Sequence, residues 1–172
     1  MDTLLNLPVD PATLPDTEVQ PYHSLSPAYR RVQHLSALIF GVLLLAGIVA
    51  GLSVAERWSQ GWLVLLLLAG WALIVLLQHL AIAKGFQYKA YALRTHDLSY
   101  RSGWLWRKTT SIPFNRIQHC EVGQGLIERL FGLAHVKVYT AGGQSSDMSV
   151  PGLLPNDAQR IKDFILKQAT DA

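Results

Sequence analysis

Two stretches of this chain carry no polar face at all. Leu35 to Ala55 reads LSALIFGVLLLAGIVAGLSVA and Trp62 to Ala83 reads WLVLLLLAGWALIVLLQHLAIA, neither holding an Asp, Glu, Lys or Arg. A helix needs about 20 apolar residues to cross a bilayer's hydrocarbon core, and both runs reach that length. Buried helices of a soluble protein would show a polar stripe, so the pattern predicts two membrane spans. The six residues between them, ERWSQG, allow only a tight turn, which makes the spans an antiparallel hairpin. Trp58 and Trp62 stand at that end, where indoles favour the membrane interface.

Beyond Ala83 the period shortens. FQYKAYALR and LSYRSG are aromatic-rich, strand-like segments, and THD between them has turn chemistry, with the bend expected at His96 and Asp97. TTSIPF and RIQHCEV follow, Pro113 marking a strand start, bulge or edge because it cannot donate to a ladder. In RIQHCEV, Cys120 and Val122 share one face and His119 and Glu121 the other; HVKVYT sets Val136 and Val138 opposite Lys137 and Tyr139. AGGQ is expected to turn the chain into DMSV. In GLIERLFGL, Leu126 with Leu130 and Ile127 with Phe131 are helical i,i+4 pairs, and Gly132 can end the turn. PNDAQRIKDFILKQA predicts a final helix, with Asn156 and Gln159 spaced as a capping box. Its stripe of Ala158, Ile161, Phe164, Ile165 and Gln168 suits docking on a sheet. Strands followed by one helix indicate an α+β or mainly-β roll.

Composition and charge divide the chain further. Half of its 172 residues are hydrophobic and 16% are charged, against about a quarter in ordinary soluble domains. Residues 1–29 hold five prolines, four acids and no Lys or Arg, and read as an irregular tail. Residues 30–84 form the hairpin, with spans near 35–55 and 62–83, and 85–172 a small domain. From Lys84 onward there are 12 Lys and Arg against 7 Asp and Glu. Arg30 and Arg31 precede the first span and Lys84 and Lys89 follow the second, against Arg57 alone in the turn. The positive-inside rule then puts both termini in the cytoplasm. No cleavable signal peptide is expected, because the first apolar run comes late and is long.

The ordered segment LRTHDLSYRSGWLWRKTTSIPFNRIQHCEVGQGLIERLFGLAHVKVYTAGG resembles the bacterial pleckstrin-homology (PH) domain of the YdbS-like membrane-protein family. The shared pattern is a turn followed by RSG, then IPFNRIQ, RLFGL, and a strand ending in YTAGG. The resemblance extends from Arg30 to about Gln168 and includes the helical hairpin before the domain. It implies a strongly bent antiparallel sheet closed by a C-terminal helix, in the inner membrane of a bacterium. It also implies a candidate partner, a larger membrane protein built from similar units, and supplies no biochemical activity. A PH-like fold does not by itself imply lipid binding, since function resides in sites.

The chemistry along the chain argues against an enzyme. GxSxG, HExxH, CxxC and GxxxxGK[ST] do not occur, and the six histidines are scattered without metal-ligand spacing. No cofactor or metal is expected. The lone Cys120 reads as a small buried hydrophobe, and His119 with Glu121 as an exposed polar face more readily than a dyad. Gln78 and His79, polar residues inside a span, suit interfacial placement or helix–helix hydrogen bonding; an ion pathway needs more groups. The candidate contact residues are Arg101, Trp104, Trp106, Arg107, Lys108, Arg116 and Arg129. The cations read either as one basic surface for the anionic cytoplasmic leaflet or as ordinary solvated charges. Trp104 and Trp106, near a hairpin tip, read either as cross-strand packing or as interface anchors. The expected function is a non-enzymatic, membrane-anchored interaction module contacting lipid headgroups. The alternative is a scaffold subunit of a larger membrane complex, with Gly41, Gly47, Gly51 and Gly70 allowing close helix packing. Aromatics beside cations also permit base stacking, but no RNA-binding motif accompanies them, and nucleic acid is not an expected partner.

Overall fold

The computed structural model describes residues 21–141 and 146–171. The elements run β1 (His23–Ser24), α1 (Pro27–Val54), α2 (Gly61–Phe86), β2 (Ala90–Leu93), β3 (Asp97–Ser102) and β4 (Lys108–Pro113). A 3₁₀ turn (Phe114–Arg116) leads into β5 (Ile117–Gly123), α3 (Leu126–Leu130), β6 (Ala134–Thr140), β7 (Met148–Leu153) and α4 (Pro155–Asp171).

The two apolar runs form the long helices α1 and α2, each long and apolar enough to cross a membrane. At the end of α1 the Glu56 and Arg57 amides return to the carbonyls of Ser53 and Leu52, with Glu56 at φ 52°. This Schellman arrangement satisfies two carbonyls that the helix end leaves without intrahelical partners. Trp71 Nε1 donates to the Gly41 carbonyl at 2.8 Å, across the hairpin. A Cβ at Gly41 would lie 3.1 Å from Val75, so the missing side chain admits this approach. Gly47, Gly51 and Gly70 have open space where a Cβ would stand, and play no such part.

The remaining elements form two antiparallel sheets, β1-β2-β3-β4 and β5-β6-β7, with α4 packed on β5, β6 and the 3₁₀ turn. Leu98, Ile112, Phe114, Val136, Val138, Val150, Ile161 and Ile165 belong to one buried cluster. Phe164 of α4 meets Phe114 edge-on, ring centres 5.9 Å apart. The alternation expected for β5 and β6 holds: Cys120, Val136 and Val138 are buried, while His119 and Glu121 are exposed. The apolar stripe of α4 likewise faces the core through Ala158, Ile161 and Ile165.

Several local expectations need correction. Phe86 of FQYKAYALR finishes α2 rather than starting a strand, because the helix continues until Phe86 packs against the domain core. The bend after β2 falls on Thr95 and His96, and Asp97 already opens β3. Asn156 is not a cap: Pro155 starts α4, its fixed φ suiting the first helical position, and Gln159 Nε2 donates to Asp163 instead. The turn at Gly142–Gln144 lies outside the described residues, as do residues 1–20 of the expected tail. Its last part is ordered, since β1 pairs with Tyr91 and Ala90 and Leu25 is buried in the core.

One contact fixes the domain to the hairpin. The Ser26 amide donates to the Gly152 carbonyl at 3.0 Å, immediately before Pro27 starts α1. Gly152 has φ +68°, and a Cβ there would lie 2.6 Å from Tyr29. Gly152→Ala is therefore expected to combine backbone strain with overpacking and to destabilise the domain by about 1–3 kcal/mol. Thermal unfolding of the detergent-solubilised full chain should show a lower midpoint; an unchanged one would mean that Tyr29 yields freely.

Candidate functional site

The β3–β4 hairpin reaches toward the membrane-spanning helices. Its last paired residues are Ser102 and Lys108, so Gly103 to Arg107 form a loop beyond the ladder. Gly103 takes φ +94°, and a Cβ there would meet the Trp106 carbonyl oxygen at 1.8 Å. Only glycine lets this loop close. Trp104, Leu105 and Trp106 are 45%, 70% and 83% exposed. Neither tryptophan lies on a strand, so cross-strand packing is not what holds them.

The loop stands over a cleft whose other walls are Gln33 of α1, Ala81, Ile82 and Gly85 of α2, and Lys89. Ala81 and Ile82 fall within the apolar run that ends at Ala83. The tip is thus level with the last turn of a membrane span. Leu105 joins the two tryptophans as a third apolar group that the sequence did not mark.

Three of the five proposed cations gather here. Arg101, Arg107 and Lys108 line a second cleft with Gln87 and Tyr88, where the chain leaves α2. The Arg107 guanidinium lies 5.1 Å from the centre of the Tyr88 ring and that of Arg101 4.3 Å from Tyr22. These faces hold the cations in place without neutralising them. Lys89 sits 5.3 Å over Tyr29, and its burial lowers its pKa from the ordinary lysine value. Tyr22 and Tyr88 were not singled out in the sequence, and Lys89 only as a cation flanking the second span; the aromatic–cation pair just after an apolar run was the available signal.

The other two cations are elsewhere. Arg116 ends the 3₁₀ turn after β4, and a six-residue strand spans roughly 20 Å, which removes it from the tip. Arg129 lies on α3, which packs against α1. Arg101, Arg107 and Lys108 thus share one cleft that Arg116 and Arg129 do not line.

His79 Nδ1 bonds the Val75 carbonyl of its own helix at 3.0 Å, and its ring lies 5.1 Å from that of His34 on α1. Gln78 Oε1, Gln33 Oε1 and His34 Nδ1 are buried without a hydrogen-bond partner. His119 Nε2 and Glu121 Oε1 are 2.9 Å apart on the exposed face of β5, and Tyr139 donates to Glu121. Hydrogen bonds from His119 and Tyr139 hold the Glu121 carboxyl below its usual pKa. Among the described residues no cluster of three or more His, Cys, Asp or Glu could hold a metal.

Cys120 is buried, and desolvation pushes its thiol pKa up to about 11 from 9.0. The thiolate is the reactive form, so its population at pH 8 falls about 100-fold through this shift. Iodoacetamide is expected to label the native chain at least that much more slowly than the urea-unfolded chain. Equal rates would show that β5 opens readily.

The comparisons agree with this architecture. A family profile described as Bacterial PH domain matches residues 36–169. Over 154 residues the chain is 30% identical to UPF0699 transmembrane protein YdbS of Bacillus subtilis (strain 168), covering 87% of this chain and 94% of the relative. Over 100 residues it is 28% identical to UPF0699 transmembrane protein YdbT of the same strain, covering 56% of this chain and 20% of that protein. No solved structure matches. With two long apolar helices leading into two antiparallel sheets and a closing C-terminal helix, the chain belongs to the YdbS-like family of bacterial PH-domain membrane proteins.

Proposed function

We propose that this protein is a non-enzymatic interaction module of the bacterial inner membrane, which presents its β3–β4 tip to anionic headgroups of the cytoplasmic leaflet. The observation that carries this reading is the height of the tip: Trp104, Leu105 and Trp106 stand beside Ala81 and Ile82 of a membrane span. Arg101, Arg107 and Lys108 lie just behind them. Indoles partition to the headgroup layer, and each cation near an anionic leaflet contributes about 1 kcal/mol. The same asymmetry of flanking Arg and Lys supports cytoplasmic placement of both termini. On this reading the hairpin is a tether and the domain reads the surface to which it is tethered.

A second reading makes the chain a subunit of a larger membrane complex, with a larger PH-domain protein as the candidate partner. It is favoured by Gly47, Gly51 and Gly70, whose Cβ positions are empty and so are not used by the hairpin itself. Co-purification of one membrane protein after gentle solubilisation supports it, and a monodisperse monomer opposes it.

For the lipid reading, the full chain is placed in nanodiscs with and without phosphatidylglycerol. Anionic lipid should slow amide exchange across residues 103–108. The double substitution Arg107→Gln, Lys108→Gln should weaken that docking about 30-fold, from two lost charge terms. Exchange that ignores lipid charge in both proteins would defeat the headgroup assignment. In parallel, the emission lost in Trp104→Phe, Trp106→Phe isolates the tip indoles from the other tryptophans. Brominated lipid should quench that difference emission, and its indifference to bromine would show a tip in water.

A further inference from the structure

We propose that α3 is a second membrane-inserting wedge, with Leu126 and Leu130 entering the acyl–headgroup boundary of the same leaflet. This rests on the reading that the domain faces the cytoplasmic leaflet, but on different residues. Leu126 and Leu130 are 88% and 78% exposed, among the most exposed large hydrophobics of the described residues. They are one helical turn apart and so share a face. An aqueous domain has no reason to present two leucines side by side in this way.

Their exposure is enforced by the surrounding bonds. Glu128 Oε2 accepts from the Gly125 amide at 2.8 Å and meets His135 Nδ1 at 2.6 Å, which ties α3 to β6. The Leu133 amide donates to the Glu128 carbonyl, and Gln124 Nε2 donates to the Leu133 carbonyl. Leu133 itself is fully buried, and Gly132 reverses the chain at φ +62°. The turn is pinned from beneath and holds its two leucines outward.

The occupant follows from what α3 adjoins. Leu126 and Ile127 border a groove with Val32 and Ser36 of α1 and Ile82 of α2. Ser36 and Ile82 both lie inside the apolar runs, so the groove opens at the height where the spans enter lipid. Gln33 and Ile82 also wall the cleft under the Trp104–Trp106 tip, which places the wedge and the tip on one continuous membrane-proximal surface. Charge around the wedge suits phosphate: Arg129 is exposed on the flank of the leucine face, and Arg31 lies 5.9 Å over Phe131. The acid on α3, Glu128, is already engaged by His135.

The test is nitroxide accessibility in the full chain, reconstituted in phosphatidylcholine–phosphatidylglycerol bilayers. Labels are placed singly through Leu126→Cys, Leu130→Cys, Leu105→Cys and Asn115→Cys, all at exposed positions, with Cys120 replaced by alanine. Lipid insertion predicts that labels at 126 and 130 collide preferentially with oxygen, whereas the label at 115 collides with a water-soluble nickel chelate. Nickel preference at 126 and 130 would overturn the wedge. Shielding of both positions from both reagents would also overturn it, by showing a protein partner or second copy there. The label at 105 reports the tip separately: nickel preference at 105 with oxygen preference at 126 and 130 removes the tip assignment and leaves the wedge.

Discussion

The junction between Gly152 and the start of α1 is the constraint from which the rest of the molecule follows. A helix entering a membrane has a defined depth, because its apolar run must match the hydrocarbon thickness. If that helix were joined to the domain by a flexible linker, the depth would say nothing about the domain. Here the Ser26 amide is bonded to Gly152 of β7, and Tyr29 covers the space where Gly152 lacks a side chain. β1, just upstream, is a strand of the same sheet as β2, which follows α2. Both ends of the hairpin are therefore built into the domain, and the hairpin's depth becomes the domain's height.

With the height set, the membrane-proximal groups take on definite chemistry. Aromatic and aliphatic side chains stand level with the last turn of the spans, and Arg101, Arg107 and Lys108 stand behind them. Between α1 and α2 at nearly the same level lies a polar layer of Gln33, His34, Gln78 and His79. Polar groups without partners are costly in hydrocarbon and tolerable near headgroups and water. Gln33 also lines the tip cleft, where the apolar run of α2 is ending.

Much of this was readable in the sequence, for identifiable reasons. Runs without a polar face have one stable environment, so the spans were plain. Period-two alternation gave the inward faces of β5 and β6, and period 3.6 that of α4, because burial on one side imposes those spacings. What was not readable depended on partners distant in the chain. β1 lies in a Pro-rich stretch that composition marks as tail, and becomes a strand only because Ala90 and Tyr91 offer a free edge. The five cations looked equivalent as letters, yet strand length carries Arg116 away and helix packing moves Arg129 to α1. Glu128 and His135 are separated by a glycine turn, and nothing in their spacing announces that they meet.

The difference between the two apolar features at the membrane-proximal surface follows from how each is held. The tip is a loop closed at Gly103, with Arg107 stacked over Tyr88 and Trp104, Leu105 and Trp106 exposed. The α3 turn is held by a carboxylate shared between a backbone amide and an imidazole, and by a buried leucine at its end. A loop can adjust its depth to the lipid beneath it, whereas a pinned turn cannot. On the proposed reading, the hairpin junction and the pinned α3 turn together set the domain's height, and the Trp104–Trp106 loop adjusts its tilt. On the same reading, Arg107 and Lys108 would meet headgroup charge from an open cleft rather than an enclosed ligand pocket.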